Sequence, residues 1–175
     1  MQRYAGGDHK AFERLYLKHK GPLYRYFVRQ IQDKQLAEDL YQDTWGRVIK
    51  AAASYQNSAK FTTWLYTIAH NLLIDHVRAL KPVESVENLD ELQVQRSQSE
   101  VEAASEKQAK SSLLTHCITL LPQVQKEAFL LSIELGLTAA VIAEIVDAGL
   151  EATKSRLRYA NQSLKTCVQQ KWQEQ

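Results

Sequence analysis

From Phe61 to Arg78 the chain reads FTTWLYTIAHNLLIDHVR. Its pattern predicts one helix carrying aromatic, hydroxyl, amide and basic side chains together. At 100° per residue, Phe61, Leu65, Ile68 and Leu72 form an apolar stripe that faces a core. Thr63, Thr67, Asn71 and Arg78 line another face, with Trp64 beside them. An aromatic ring offers bases a stacking surface, and amide and guanidinium groups offer donors to base edges and phosphates. A helix with one dry face and one such wet face is a candidate surface for nucleic acid with unpaired bases. Taken alone, an ordinary amphipathic helix is the better explanation, since most amphipathic helices bind nothing.

Two further stretches have polar residues at telling spacing. In AEDLYQDTWGRV, Asp39, Gln42, Asp43 and Gly46 share one face, opposite Leu40, Thr44 and Val48. Asp39 and Asp43 repel weakly at i, i+4, and only Asp43 has a helpful cation, Arg47, four residues on. With no companion histidine or third carboxylate at ligand spacing, the pair does not suggest a metal. It is either a solvated face or a docking patch for a basic partner. Near the C-terminus, a short predicted helix from Thr138, the turn Asp147-Ala148-Gly149 and a helix from Leu150 make a helix-turn-helix pattern. Thr153, Leu157, Ala160 and Leu164 point inward. Glu151, Lys154, Ser155, Arg158, Tyr159 and Gln162 point outward, with Arg and Gln suited to guanine and adenine edges.

Catalysis finds no support. There is no glycine-rich phosphate loop, no nucleophile elbow and no cysteine–histidine zinc spacing, so no cofactor, metal or catalytic residue is expected. Cys117 and Cys167 lie far apart and suggest free thiols in a reducing compartment. The first residues have no apolar core of a signal peptide, and no run approaches a membrane span, so a soluble cytoplasmic protein is expected.

The elements that must position these faces are helical, and the class is all-α. Asp8 caps a first helix, which Gly21-Pro22 interrupts as a turn or a new start. Gln32-Asp33-Lys34 connects to a helix over about Gln35 to Ala53, and a polar loop leads to Phe61. Pro82 ends the first lobe. From Pro82 to Glu106 there are seven acids against Arg96 alone, a net −6. The formal total is +2, so the remainder carries 2 − (−6) = +8. Two basic lobes joined by an acidic, flexible strap are therefore expected.

The order GDHKAFERLYLKHKGPLYRY, AEDLYQDTWGRVIK, FTTWLYTIAHNLLIDHVR, LPQVQKEAFLL and IAEIVDAGLEATKSRLRYA resembles the extracytoplasmic-function group of bacterial RNA polymerase sigma factors. The resemblance implies a region 2-like domain over 1–81, a linker over 82–106 and a region 4-like helix-turn-helix domain over 107–175. It implies a non-enzymatic promoter-specificity subunit. Its partners would be core polymerase (the β and β′ subunits), promoter DNA and an anti-sigma factor. Asp39, Gln42, Asp43 and Trp45 would dock on polymerase. Lys60, Thr63, Trp64, Tyr66, Thr67, Asn71 and Arg78 would take the −10 element as single strand. Glu151, Lys154, Ser155, Arg158, Tyr159 and Gln162 would read the −35 duplex, while the acidic linker threads the polymerase cleft. The chain departs from the pattern at His70, where Arg is usual, at Val141 for Glu and at Asp147 for Gly. The alternatives are a stand-alone helix-turn-helix regulator and a polymerase-binding adaptor with weakened DNA reading.

Overall fold

A computed structural model describes residues 1–56, 59–79 and 106–173. The acidic strap lies outside these residues, but for Glu106. The described residues are helical, with no strand among them. The first lobe comprises α1 (Gln2–Ala5), α2 (His9–Gln30), α3 (Lys34–Lys50), a 3-10 turn (Ala52–Ser54) and α4 (Phe61–Ala79). The second comprises α5 (Glu106–Thr119), α6 (Gln123–Leu135), α7 (Ala139–Ile145) and α8 (Leu150–Gln173).

Starts and stops follow local chemistry. The Asp8 carboxylate accepts from the Ala11 amide and Asp33 from the Leu36 amide, each filling an orphan donor of a first turn. Gly136 ends α6 at φ +62, the left-handed conformation a glycine adopts freely. Gly21-Pro22 does not break the chain's course. α2 runs unbroken through it, because His19, Leu23, Tyr26, Phe27 and Gln30 form one continuous buried stripe. Packing of that stripe outweighs the roughly 3 kcal/mol that an interior proline costs.

Two apolar clusters hold the molecule. One is built on Leu23, Phe27, Leu40, Val48, Leu65, Tyr66 and Leu73, and it also takes in Ala128, Leu131, Ile142 and Ile145 of the second lobe. The other joins α5, α6 and α8 through Leu113, Ile118, Leu121, Phe129, Leu130 and Leu164. The lobes are therefore packed together, α2 on α6 and α4 on α7, rather than merely tethered. The cause is α6, which is buried on more than one side: Phe129 and Leu130 serve one cluster, Ala128 and Leu131 the other.

The expectation of two free thiols is overturned. Cys117 of α5 and Cys167 of α8 form a disulfide, with Cα atoms 5.9 Å apart. Sequence spacing could not reveal it, since helix packing brings together residues 50 positions apart. Closing a loop of that length restricts the unfolded chain by about 4 kcal/mol on the chain-entropy account. Reduction with dithiothreitol should lower the unfolding free energy by about that amount in urea melts. Coincident melts of the oxidised and reduced protein would contradict it.

Candidate functional site

Three solvent-facing sets emerge, on α3, α4 and α8. On α3, Asp39, Gln42 and Asp43 are exposed, and Gln35 Nε2 donates to Asp39 at 3.2 Å. Behind them the helix is anchored by Trp45, whose ring meets Tyr16 at 5.0 Å and Phe12 at 5.9 Å. Tyr41 donates to the Tyr16 hydroxyl, and burial together with that bond pushes the Tyr41 phenol up to about 12. The α3 surface is thus a rigid acidic face. Trp45, expected to dock, is 6% exposed and belongs to the core beneath that face.

On α4, Asn71 and Arg78 are exposed, as is Lys60 just before it, and Trp64 and Thr67 are half-buried. The Trp64 indole is held by two rings, Tyr55 at 4.9 Å and Phe61 at 5.9 Å. Tyr55 is a participant that sequence reading missed. Its signal was an aromatic residue inside an otherwise polar loop. Thr63 and Tyr66 are corrected in the same way as Trp45. Thr63 is 6% exposed and Tyr66 fully buried, edge-on to Tyr26 at 5.4 Å. Burial raises the Tyr66 phenol well above its ordinary value, and neither side chain can touch a base from this position. The rest of the expected set stays together on the α4 surface.

The helix-turn-helix closes at the expected Asp147-Ala148-Gly149 turn. Asp147 takes φ +48, and Ala148 N–H donates back to the Ala143 carbonyl at 3.0 Å, the six-to-one bond of a Schellman end. Gly149 then leads into α8, where the Thr153 hydroxyl donates to the Gly149 carbonyl. Thr138 caps α7 through the Val141 amide. Outward from α8, Glu151, Lys154, Arg158, Tyr159 and Gln162 are exposed and Ser155 is half-buried. Lys154 is paired with Glu151 at 2.7 Å, and the Arg158 guanidinium lies 5.0 Å over the Tyr159 ring.

Residues 15–82 match Sigma-70 region 2, a stretch that contains α3, α4 and most of α2. Over 159 residues the chain is 31% identical to the ECF RNA polymerase sigma factor BldN of Streptomyces coelicolor, covering 89% of this chain. It spans 59% of BldN's length. Over 177 residues it is 29% identical to the ECF RNA polymerase sigma factor SigK of Mycobacterium tuberculosis, covering 96% of this chain and 91% of that one. Residues 15–82 thus carry a Sigma-70 region 2 domain, and along most of its length the chain is similar to extracytoplasmic-function sigma factors. The same fold occurs in the sigma factor RpoE of Bartonella quintana, solved with the anti-sigma factor NepR. That match has a TM-score of 0.70 at 20% identity, over 91% of this chain and 98% of that one. It occurs again in CnrH, solved with the cytosolic domain of CnrY, with a TM-score of 0.70 at 17% identity over 95% and 93%. The acidic α3 face and the ring-backed α4 face both fall within the region 2 match. Among its described residues no helix is long and apolar enough to cross a membrane.

Proposed function

We propose that this sigma factor binds core RNA polymerase, through the β and β′ subunits, and directs promoter recognition and opening. Asp39, Gln42 and Asp43 dock it, with Trp45 stiffening the helix behind them. Lys60, Trp64, Thr67, Asn71 and Arg78 take unpaired −10 bases. Glu151, Lys154, Ser155, Arg158, Tyr159 and Gln162 face the −35 duplex. The region 2-like part covers 1–81 and the region 4-like part 107–175. The chain makes and breaks no bond itself and leaves the chemistry to polymerase. An anti-sigma factor is a further partner, by analogy with the RpoE–NepR and CnrH–CnrY complexes. Its compartment is the cytoplasm, whose reductants make the reduced Cys117/Cys167 form a relevant state.

The observation that carries this reading is the half-buried Trp64 indole, held by Tyr55 and Phe61 on a helix that also exposes Asn71 and Arg78, with Lys60 exposed just before its first residue. A ring fixed on one side and open on the other is a stacking platform for a flipped base. Capture of the chain by purified core polymerase, followed by run-off transcription, tests the whole proposal. Trp64→Ala tests its centre. Base–aromatic stacking contributes roughly 1–3 kcal/mol, so promoter opening should fall about tenfold or more while closed-complex formation changes little. Equal permanganate reactivity of −10 thymines in variant and parent would refute the role.

A further inference from the structure

Where α6 meets α2 and α4, buried polar groups stand beside the apolar cluster that joins the lobes. Glu127 is the hub. One of its oxygens, Oε1, accepts from the Tyr26 hydroxyl at 2.5 Å and from His70 Nδ1 at 2.8 Å. Its side chain is 3% exposed. Beside it, Gln123 Nε2 donates to Gln30 Oε1 at 2.8 Å, and Lys126 Nζ reaches the Gln30 carbonyl at 3.5 Å. Arg25 and Arg29 pair with Glu134 at the rim.

This seam is well suited to open. Burial pulls the Lys126 ammonium below its usual value, and its bond to Gln30 is long. Gln30 Nε2 and the Tyr66 hydroxyl have no hydrogen-bond partner among the described residues. Water would satisfy all of these if the lobes parted, whereas a permanent joint is normally drier. The proposed function also requires parting. Promoter elements about 25 base pairs apart are separated by roughly 85 Å of duplex, at about 3.4 Å per base pair. A compact body of 175 residues is only about 40 Å across. The 26 residues between Ala79 and Glu106 have a contour of about 90 Å, enough for the reach.

His70 connects the seam to the DNA face. It adjoins Asn71 on α4, and the ring N–H that a phosphate oxygen would take is held by the Glu127 carboxylate. We propose that Glu127 is an autoinhibitory latch that closes the lobes by holding Tyr26 and His70, and that phosphates of unpaired promoter DNA compete with it for His70. The inference rests on α4 being the single-strand face.

Small-angle X-ray scattering of the full chain reads the latch without polymerase or DNA. Glu127→Gln keeps the side chain's shape and removes its charge. Its radius of gyration should rise by several ångströms above the compact value of about 16 Å. Tyr26→Phe removes one of the two bonds and should give a smaller rise. Unchanged scattering from Glu127→Gln overturns the latch. If circular dichroism shows that variant unfolded, Tyr26→Phe decides in its place. Fluorescence anisotropy with short random-sequence single-stranded DNA reads the competition. Glu127→Gln should bind about fivefold tighter than the parent, since more of it is open, and adding His70→Ala should cancel the gain. Equal binding by parent and Glu127→Gln overturns the competition. Run-off transcription by the parent is a separate measurement. Its failure would refute the sigma-factor role and leave the scattering result standing.

Discussion

Asp39→Arg combined with Asp43→Arg will abolish the proposed binding to core polymerase while leaving the helices intact. Both carboxylates are exposed on α3, and between them their one described hydrogen bond is the surface contact from Gln35. The fold loses almost nothing when they change. The weak i, i+4 repulsion between two carboxylates is exchanged for one of similar size between two guanidinium groups, with Arg47 as a further like neighbour. The docking face, by contrast, swings by four charge units. A like-charge juxtaposition across an interface costs several kcal/mol, so affinity should fall about 100-fold or more. Co-purification with core polymerase measures the loss, and circular dichroism checks that the helices persist. Undiminished co-purification from a folded variant would refute the docking face. Trp45 cannot serve as a substitute test. Truncating a ring packed against Phe12 and Tyr16 opens a cavity in the core and lowers stability before it says anything about docking.

What the sequence displayed and what it concealed divide along physical lines. Local chemistry was legible. The Asp8 cap, the helix start at Thr138 and the turn at Asp147-Ala148-Gly149 each depend on a few neighbouring residues, and each is present. Periodicity was legible too. Leu65 and Leu72 are buried where the stripe placed them, as are Thr153, Ala160 and Leu164 on α8. Periodicity was misleading at boundaries between faces. Thr63 and Tyr66 lie at the edge of the wet face by angle, but both are buried, Tyr66 against Tyr26 of α2. A helical wheel gives direction and carries no information about what stands opposite.

Long-range pairing was not legible. The Cys117–Cys167 bridge and the Glu127 contacts to Tyr26 and His70 join residues 50, 101 and 57 positions apart. No spacing rule reaches that far, because such contacts are set by helix packing. Gly21-Pro22 failed for a related reason. Its local preference is to break a helix, and a buried stripe extending on both sides overrode it. His70 could be noticed in the sequence only as a departure from the family's arginine. Its partner is a carboxylate in the other lobe, visible only once α6 is laid against α4.

Arg158→Ala will weaken binding to the −35 duplex and relax its selectivity at one position. The side chain is exposed on α8, and it is held in place. Its guanidinium lies 5.0 Å over the Tyr159 ring and donates to the Tyr159 hydroxyl at 3.4 Å. A guanidinium so stacked loses less conformational freedom when it meets the two acceptors of a guanine edge. Loss of such a contact costs about 1–3 kcal/mol, which is roughly 5- to 150-fold in affinity. Lys154 makes a useful contrast. It is a point charge already engaged by Glu151 at 2.7 Å, suited to a phosphate rather than a base. Lys154→Ala should weaken binding to all sequences evenly and reduce the slope of affinity against salt by about 1. Gel-shift titrations across base-substituted −35 duplexes at several salt concentrations separate the two patterns. If neither variant changes binding or −35-dependent transcription while both still co-purify with core polymerase, the adaptor reading replaces promoter reading for the second lobe. The α8 surface would then be solvated, with its arginine stacked on tyrosine as a structural pair only.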